Sequence, residues 1–328
     1  MMAVVLVTGG AGYIGSHACK RLAEAGHEPV CFDDFSTGWR DAARFGPVIE
    51  GDLLDAAAVR EAMRAVRPSA VMHFAALSIV AESMRDPARY WRVNLVGAMN
   101  LLDAMQVEGV GSLIFSSTAA TYGEPDVALI GEETPQRPSN PYGASKLAIE
   151  RLIADVALTH RLRATIFRYF NVAGADPAGG LGERHEPETH LIPIVLEAAA
   201  GRRTHVTVNG VDYPTPDGSC VRDYLHVCDL AEAHLLGLEK LLGGEAGHAL
   251  NLGIGRGYSV LEVIAAARSV TGCAIPAEIG PRRGGDPARL VCDGARARAA
   301  LDWTPRRAAL ETMIADAWRW FGREWGIV

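Results

Sequence analysis

A chain of 328 residues that is 49% hydrophobic and 22% charged can bury a large core, which excludes a disordered or fibrous protein. Its longest apolar runs, such as residues 3–7, fall far short of the roughly 18 residues of a membrane span, and no basic stretch followed by a long apolar one opens the chain, so a cytoplasmic protein without a membrane partner is expected. A formal net charge of −7 with no basic cluster argues against nucleic acid as a partner.

Residues 3–7, apolar and valine-rich, read as a strand. Thr8-Gly9-Gly10-Ala11-Gly12-Tyr13-Ile14-Gly15 follows, then a helical pattern to about Ala25. Gly9, Gly12 and Gly15 keep a G-x-x-G-x-x-G spacing, which lets the backbone turn tightly, approach a pyrophosphate and aim a helix N-terminus at its charge. The next apolar run, residues 29–32, ends in Asp33, 18 residues after Gly15. A carboxylate there accepts hydrogen bonds from an adenosine ribose and disfavours a 2′-phosphate, so NAD is expected over NADP.

The alternation continues with a strand at 48–50 before Gly51-Asp52-Leu53, a helix to about Val66, a strand at 70–75, a long helix over about 87–107 and a strand at 112–117. This predicts an α/β fold, a Rossmann-type doubly wound parallel sheet covered on both faces. Ligands in such sheets lie beyond the carboxyl ends of strands, where Asp52, Phe74-Ala75-Ala76 and Ser116-Ser117-Thr118 fall. Asn94, the odd polar residue in the long helix, either serves that site or faces water.

Only three of the 32 basic residues are lysines, and one of them, Lys146, stands four residues after Tyr142. Asn140 can cap a helix and Pro141 suits its first turn, so both side chains share one face of a helix to about His160. A compact ammonium can approach a phenol and a ribose hydroxyl together, which a broad guanidinium cannot. The neighbouring cation is expected to favour the phenolate and bring a pKa of about 10 toward working pH, making Tyr142 the proton acceptor. Downstream, Ser259 and Glu262 form an S-x-x-E capping box, and Asp229 is expected to cap the helix before it. The six cysteines show no C-x-x-C, so no disulfide framework and no metal site are expected.

The motifs T-G-G-A-G-Y-I-G, H-F-A-A, F-S-S-T-A-A-T-Y-G, P-Y-G-A-S-K, R-Y-F-N and V-R-D-Y-L-H-V-C-D-L-A resemble the extended short-chain dehydrogenase/reductase superfamily. The particular segment D-Y-P-T-P-D-G-S-C-V-R-D-Y brings the resemblance nearest to its UDP-glucose 4-epimerases, over residues 4 to about 320. It implies that NAD is contacted by Gly9, Gly12, Tyr13, Ile14, Gly15, Asp33, Asp52, Leu53, Phe74, Ala75, Ala76, Asn94, Ser116, Tyr142, Lys146 and Tyr169, and that Thr118, Tyr142 and Lys146 are catalytic. For a UDP-sugar substrate it implies Thr118, Asn171, His190 and Leu191, the phosphate partners Arg222 and Arg283, Asp286 near the ribose, and Leu290 beside the sugar. The chain departs at Ser78, where some relatives carry lysine, and at His190, where some carry asparagine.

The implied activity is an NAD-dependent 4-epimerase that interconverts UDP-glucose and UDP-galactose, or a related pair, through a 4-keto sugar. Two alternatives share the scaffold: a nucleotide-sugar 4,6-dehydratase and a non-catalytic NAD-sensing binding protein. Dehydratases carry an Asp-Glu pair directly after the active-site threonine, where Ala119 and Ala120 stand here. The break near Gly174 suggests an NAD-binding domain over 1–173, with segments near 205–240 returning to it, and a smaller mixed α/β nucleotide-sugar domain over 174–328. The helices at about 87–107 and 142–160 carry more apolar residues than one buried stripe needs (Leu95, Met99, Leu102, Leu147, Ile149, Leu152, Ile153, Val156), so a homodimer is expected.

Overall fold

The structure, a computed structural model, describes residues 2–284 and 286–327. In chain order the first half contains β1 (Val4–Thr8), α1 (Tyr13–Glu24), β2 (Glu28–Asp33), β3 (Val48–Glu50), α2 (Ala56–Val66), β4 (Ala70–His73), α3 (Val80–Arg85), α4 (Pro87–Tyr90), α5 (Gly97–Val107), β5 (Ser112–Thr118), α6 (Pro141–Thr159), β6 (Arg163–Tyr169) and β7 (Asn171–Ala173). The second half adds α7 (Leu191–Ala199), β8 (Val206–Asn209), β9 (Val221–His226), α8 (Val227–Leu242), β10 (Ala249–Leu252), β11 (Gly257–Ser259), α9 (Val260–Thr271), β12 (Ala277–Gly280), β13 (Arg289–Leu290), α10 (Ala295–Leu301) and α11 (Leu310–Glu324).

Seven strands pair in the order β10-β6-β5-β4-β1-β2-β3, and every pairing between them is parallel. Parallel strands covered on both faces need continuous apolar runs, and Val5, Leu6, Val7, Val71 and Met72 are accordingly shut away from water. One face is covered by α1 and α8 through Ala18, Leu22, Leu230 and Leu238; the other by α2, α5 and α6 through Met63, Leu101 and Ile149. Each of the leucine, isoleucine and methionine side chains among them contributes about 1.5–3 kcal/mol of burial. The strand order reverses between β1 and β4, and that switch point opens the crevice in which ligands sit. A second layer combines β11, β9, β13 and β7 with the pair β12-β8, and packs on α7, α9 and α11 through Ile192, Val263 and Met313.

Two local expectations are corrected. The long helix is not uniform: residues 91–96 form a π-helical turn between α4 and α5, and it rotates Asn94 inward rather than to water. Asp229 does not cap α8. His226 does, accepting from Cys228 N, while Asp229 reaches forward to accept from the backbone N–H groups of Arg306 and Arg307 at 3.0 and 2.8 Å. Of the eight apolar residues named on the two long helices, Leu102, Leu147, Ile149 and Ile153 are buried in their own chain. The Ser259–Glu262 capping box forms as predicted. Among the described residues no helix is long and apolar enough to cross a membrane.

Candidate active site

The glycine turn between β1 and α1 is built for close approach. Gly9 has φ +73°, and a Cβ there would lie 2.5 Å from the backbone N of Ala75, just past the end of β4; a Cβ on Gly15 would lie 2.1 Å from the carbonyl oxygen of Gly9. On Gly12 a Cβ would meet nothing closer than 3.4 Å, and no side chain caps α1, whose first amides are left to an anion. At the end of β2 the Asp33 carboxylate accepts from the N–H groups of Ala11 and Phe35, each at 2.9 Å. Burial raises its pKa and the two amide bonds partly offset this. Asp52 is exposed and accepts from Leu54 N at 2.8 Å, while Leu53 is buried. Phe74 packs on His234, their rings 4.9 Å apart, and Ala75 and Ala76 continue the edge of the crevice. These residues therefore form a cradle that fits a dinucleotide: backbone amides for a pyrophosphate at α1 and a carboxylate one strand away for a ribose.

Tyr13, at the start of α1, donates its phenol to the carbonyl of Gly174 at 2.7 Å and ties the glycine turn to the second half of the chain. Asn94 accepts from Leu77 N at 2.8 Å and donates to Leu77 O and Ser145 Oγ, each at 3.1 Å. It thereby clamps the loop after β4 onto α6 beneath the catalytic residues.

Asn140 caps α6 through Gly143 N at 2.8 Å with Pro141 at its start, as the sequence predicts. This sets Tyr142 and Lys146 over the end of β5. Lys146 is buried; its Nζ donates to the carbonyl of Ser116 at 2.9 Å and lies 5.0 Å from the Phe115 ring centre. The Thr118 hydroxyl accepts from Ala120 N at 3.1 Å, capping a short 3-10 turn, and stands near enough to the Tyr142 phenol to favour its ionised form. Ser116 Oγ shares a hydrogen bond with the Tyr169 phenol. Thr118, Tyr142, Lys146, Ser116 and Tyr169 thus meet at the carboxyl ends of β5 and β6.

The electrostatics differ from the expectation that the ammonium would depress the phenol. Burial raises the Tyr142 pKa, and it is the Thr118 hydroxyl that offsets part of the rise. Burial also lowers Lys146 to about 7, with Glu150 pulling the other way. Both groups lie in an interior that penalises their charged forms, and the amine is turned to a carbonyl, so each is driven toward neutrality.

The register of the second sheet gathers the substrate candidates. Leu290 in β13 lies opposite Arg222 in β9, and Asn171 in β7 lies opposite Tyr224, two residues along the same strand. Arg222 forms an ion pair with Asp286 and donates to its neighbour's carbonyl, that of Val221, at 2.8 Å. Arg283 is exposed, and its carbonyl accepts from Asp286 N at 3.3 Å. His190 and Leu191 stand at the start of α7, and His190 does not stand free. Burial disfavours its charge, yet the Glu183 and Glu188 carboxylates outweigh this and raise it to about 10. Ser78 is exposed.

Two groups escaped the motifs. Glu150, one turn after Lys146, is buried in a bond with Arg168 and Ser117; its i+4 spacing from Lys146 was the available signal. Glu183, His185 and Glu188 converge with His190 on the loop before α7, and only their E-x-H-x-x-E-x-H spacing marked them.

Residues 5–253 match the model of the NAD dependent epimerase/dehydratase family. The chain is 51% identical over 315 residues to the UDP-glucose 4-epimerase of Corynebacterium glutamicum, covering 96% of this chain and 94% of that protein. Among solved structures, UDP-glucose 4-epimerase from Brucella ovis in complex with NAD superposes with a TM-score of 0.95 at 48% identity, covering 97% of this chain and 98% of the other. UDP-glucose-4-epimerase from Stenotrophomonas maltophila, with bound NAD and formylated UDP-arabinopyranose, gives a TM-score of 0.95 at 40% identity, covering 99% and 100%.

Proposed function

This chain belongs to the NAD dependent epimerase/dehydratase family, and we propose that it interconverts UDP-glucose and UDP-galactose with Tyr142 carrying the proton. It is an NAD-dependent isomerase, as its identity to UDP-glucose 4-epimerases over nearly the whole length supports. Bound NAD supplies a reversible hydride acceptor, so that the sugar passes through a 4-keto form.

The chain's own residues do the rest. Tyr142 takes the proton of the 4-hydroxyl and returns it, and Thr118, beside the same phenol, orients the hydroxyl between the two oxygens. Lys146, anchored on Ser116 O, supplies the positive charge that the phenolate needs when it forms. Arg222 and Arg283 take the diphosphate, with Asp286 released from Arg222 to the ribose; a planar guanidinium pairs well with phosphate oxygens. Asn171, His190 and Leu191 flank the nucleotide and Leu290 faces the sugar. A firm hold on the nucleotide with a loose hold on the hexose is required, because tight recognition of one sugar face would block return of hydride to the other.

The convergence of Thr118, Tyr142 and Lys146 on the crevice edge carries this reading. Residues 1–173 and 174–328 are proposed as the NAD and nucleotide-sugar domains, and the chain as a cytoplasmic homodimer. The test is incubation of the purified chain, without added cofactor, with a panel of UDP-sugars. Formation of 4-epimers is expected; net oxidation or loss of water would overturn the assignment, the second outcome pointing to a dehydratase.

A further inference from the structure

We propose that Glu183, His185, Glu188 and His190 form a binding site for one divalent transition-metal cation of zinc type, on the loop between β7 and α7. The four ligand atoms lie within 4.8 Å of one another, and Glu183 is buried. Both histidines turn the same ring atom, Nδ1, toward the two carboxylates. His190 Nδ1 lies 3.0 Å from Glu183 Oε1 and 3.2 Å from Glu188 Oε1; His185 Nδ1 lies 3.3 Å from Glu183 Oε1 and 3.6 Å from Glu188 Oε2. Around a metal with ligand bonds of about 2.0–2.1 Å, the edge of a tetrahedron is about 3.3 Å, and the four imidazole–carboxylate separations, 3.0 to 3.6 Å, are of that size.

Ion pairing alone would give similar distances, but it leaves one atom unexplained. His185 Nδ1 is buried and has no hydrogen bond, although an oxygen of each carboxylate is near it. A buried ring nitrogen that bonds neither neighbour is accounted for by a cation between them. The surroundings hold the donors in place. Glu188 Oε1 accepts from the N–H groups of Thr189 and His190 at 2.7 and 2.8 Å, and the Glu183 carbonyl accepts from the Trp320 indole at 3.4 Å. Between these residues Arg184 lies over the rings of Trp39 and Trp320, 4.8 and 5.3 Å from their centres, and pairs with Asp41 at 2.6 Å. Such outer contacts orient ligands before a metal arrives. Two imidazoles with two carboxylates suit zinc and its first-row neighbours and do not suit magnesium, which takes oxygen ligands and keeps several waters.

The test uses the tag-free full chain, stripped with chelator and titrated with Zn2+ by calorimetry, with Mg2+ as control. One high-affinity Zn2+ site per chain is expected, weakened at least tenfold in His185→Gln and in Glu183→Gln, with no comparable Mg2+ binding. A second measurement does not depend on the variants: Co2+ added to the stripped wild-type chain is expected to give the intense visible absorption of a four-coordinate ion. Absence of stoichiometric Zn2+ binding, wild-type affinity in both variants, or only the weak spectrum of six-coordinate Co2+ would each overturn the site. Neither Glu183 nor His185 is among the residues assigned to NAD, sugar or nucleotide, so failure here leaves the catalytic reading standing.

Discussion

Arg168 grips the Glu150 carboxylate through Nε, at 3.0 and 3.1 Å to its two oxygens, and through Nη2 at 2.7 Å, and this buried pair lies one turn beyond Lys146 on α6. Glu150 favours the ammonium form of Lys146 against burial, which sets the amine at about 7. The Tyr142 phenol is pushed the other way, above its ordinary value. Between the two, the pair holds one proton, and the phenolate–ammonium arrangement that reacts has the same proton count as the neutral one. Turnover should therefore rise as pH increases through about 7, where the doubly protonated pair loses its first proton. Replacing Glu150 by Gln removes the charge that holds the ammonium, lowers the Lys146 pKa further and moves that rising limb to lower pH. It also strands a buried guanidinium, at a cost of about 3–5 kcal/mol. A pH–rate profile and a denaturant titration check the two effects; an unmoved limb would separate Glu150 from the chemistry.

Tyr142→Phe keeps the ring and its packing while removing the oxygen that carries the proton. Turnover is expected to fall by about 10²–10⁴, the range for losing a positioned acid–base group, with UDP binding close to wild type. Single-turnover rates beside UDP affinity check this. Full activity in the variant would remove Tyr142 as the proton carrier and require another group in that role.

Gly15→Ala places a methyl group 2.1 Å from the carbonyl oxygen of Gly9, and backbone must move to admit it. The turn that brings α1 toward the pyrophosphate would open. The purified variant is expected to lose its retained NAD, read by absorbance after denaturation, and to melt below the wild type.

Much of this was legible because the glycine turn, the carboxylate after β2 and the capped Tyr-x-x-x-Lys helix are local devices, whose geometry follows from spacing alone. What was not legible depends on partners distant in the chain. The π-helical turn at 91–96 leaves the apolar pattern nearly unchanged, so Asn94 read as equally able to face water or the site. Asp229 looked like a cap because its true partners, the amides of Arg306 and Arg307, lie more than 70 residues away. The effect of Lys146 on Tyr142 was misjudged for a related reason: spacing shows that two groups are near, but not how thoroughly both are removed from water.

The same distinction governs the expected dimer. Of the eight apolar residues named on the two long helices, the ones still open to water are Met99 and, to a lesser degree, Leu95, Leu152 and Val156. Met84, Trp91 and Val96, on the same stretch of chain, are exposed by 62, 39 and 41%. Large apolar side chains that share a surface cost solubility unless a partner covers them. A second copy of the chain, bringing the same helices face to face, would cover Met99. The wild-type chain is therefore expected to show twice its own mass by light scattering at micromolar concentration. Met99→Glu, which adds a charge to that surface, should shift it toward the monomer. A monomeric wild type would reject the dimer, and an unshifted Met99→Glu dimer would place its interface elsewhere.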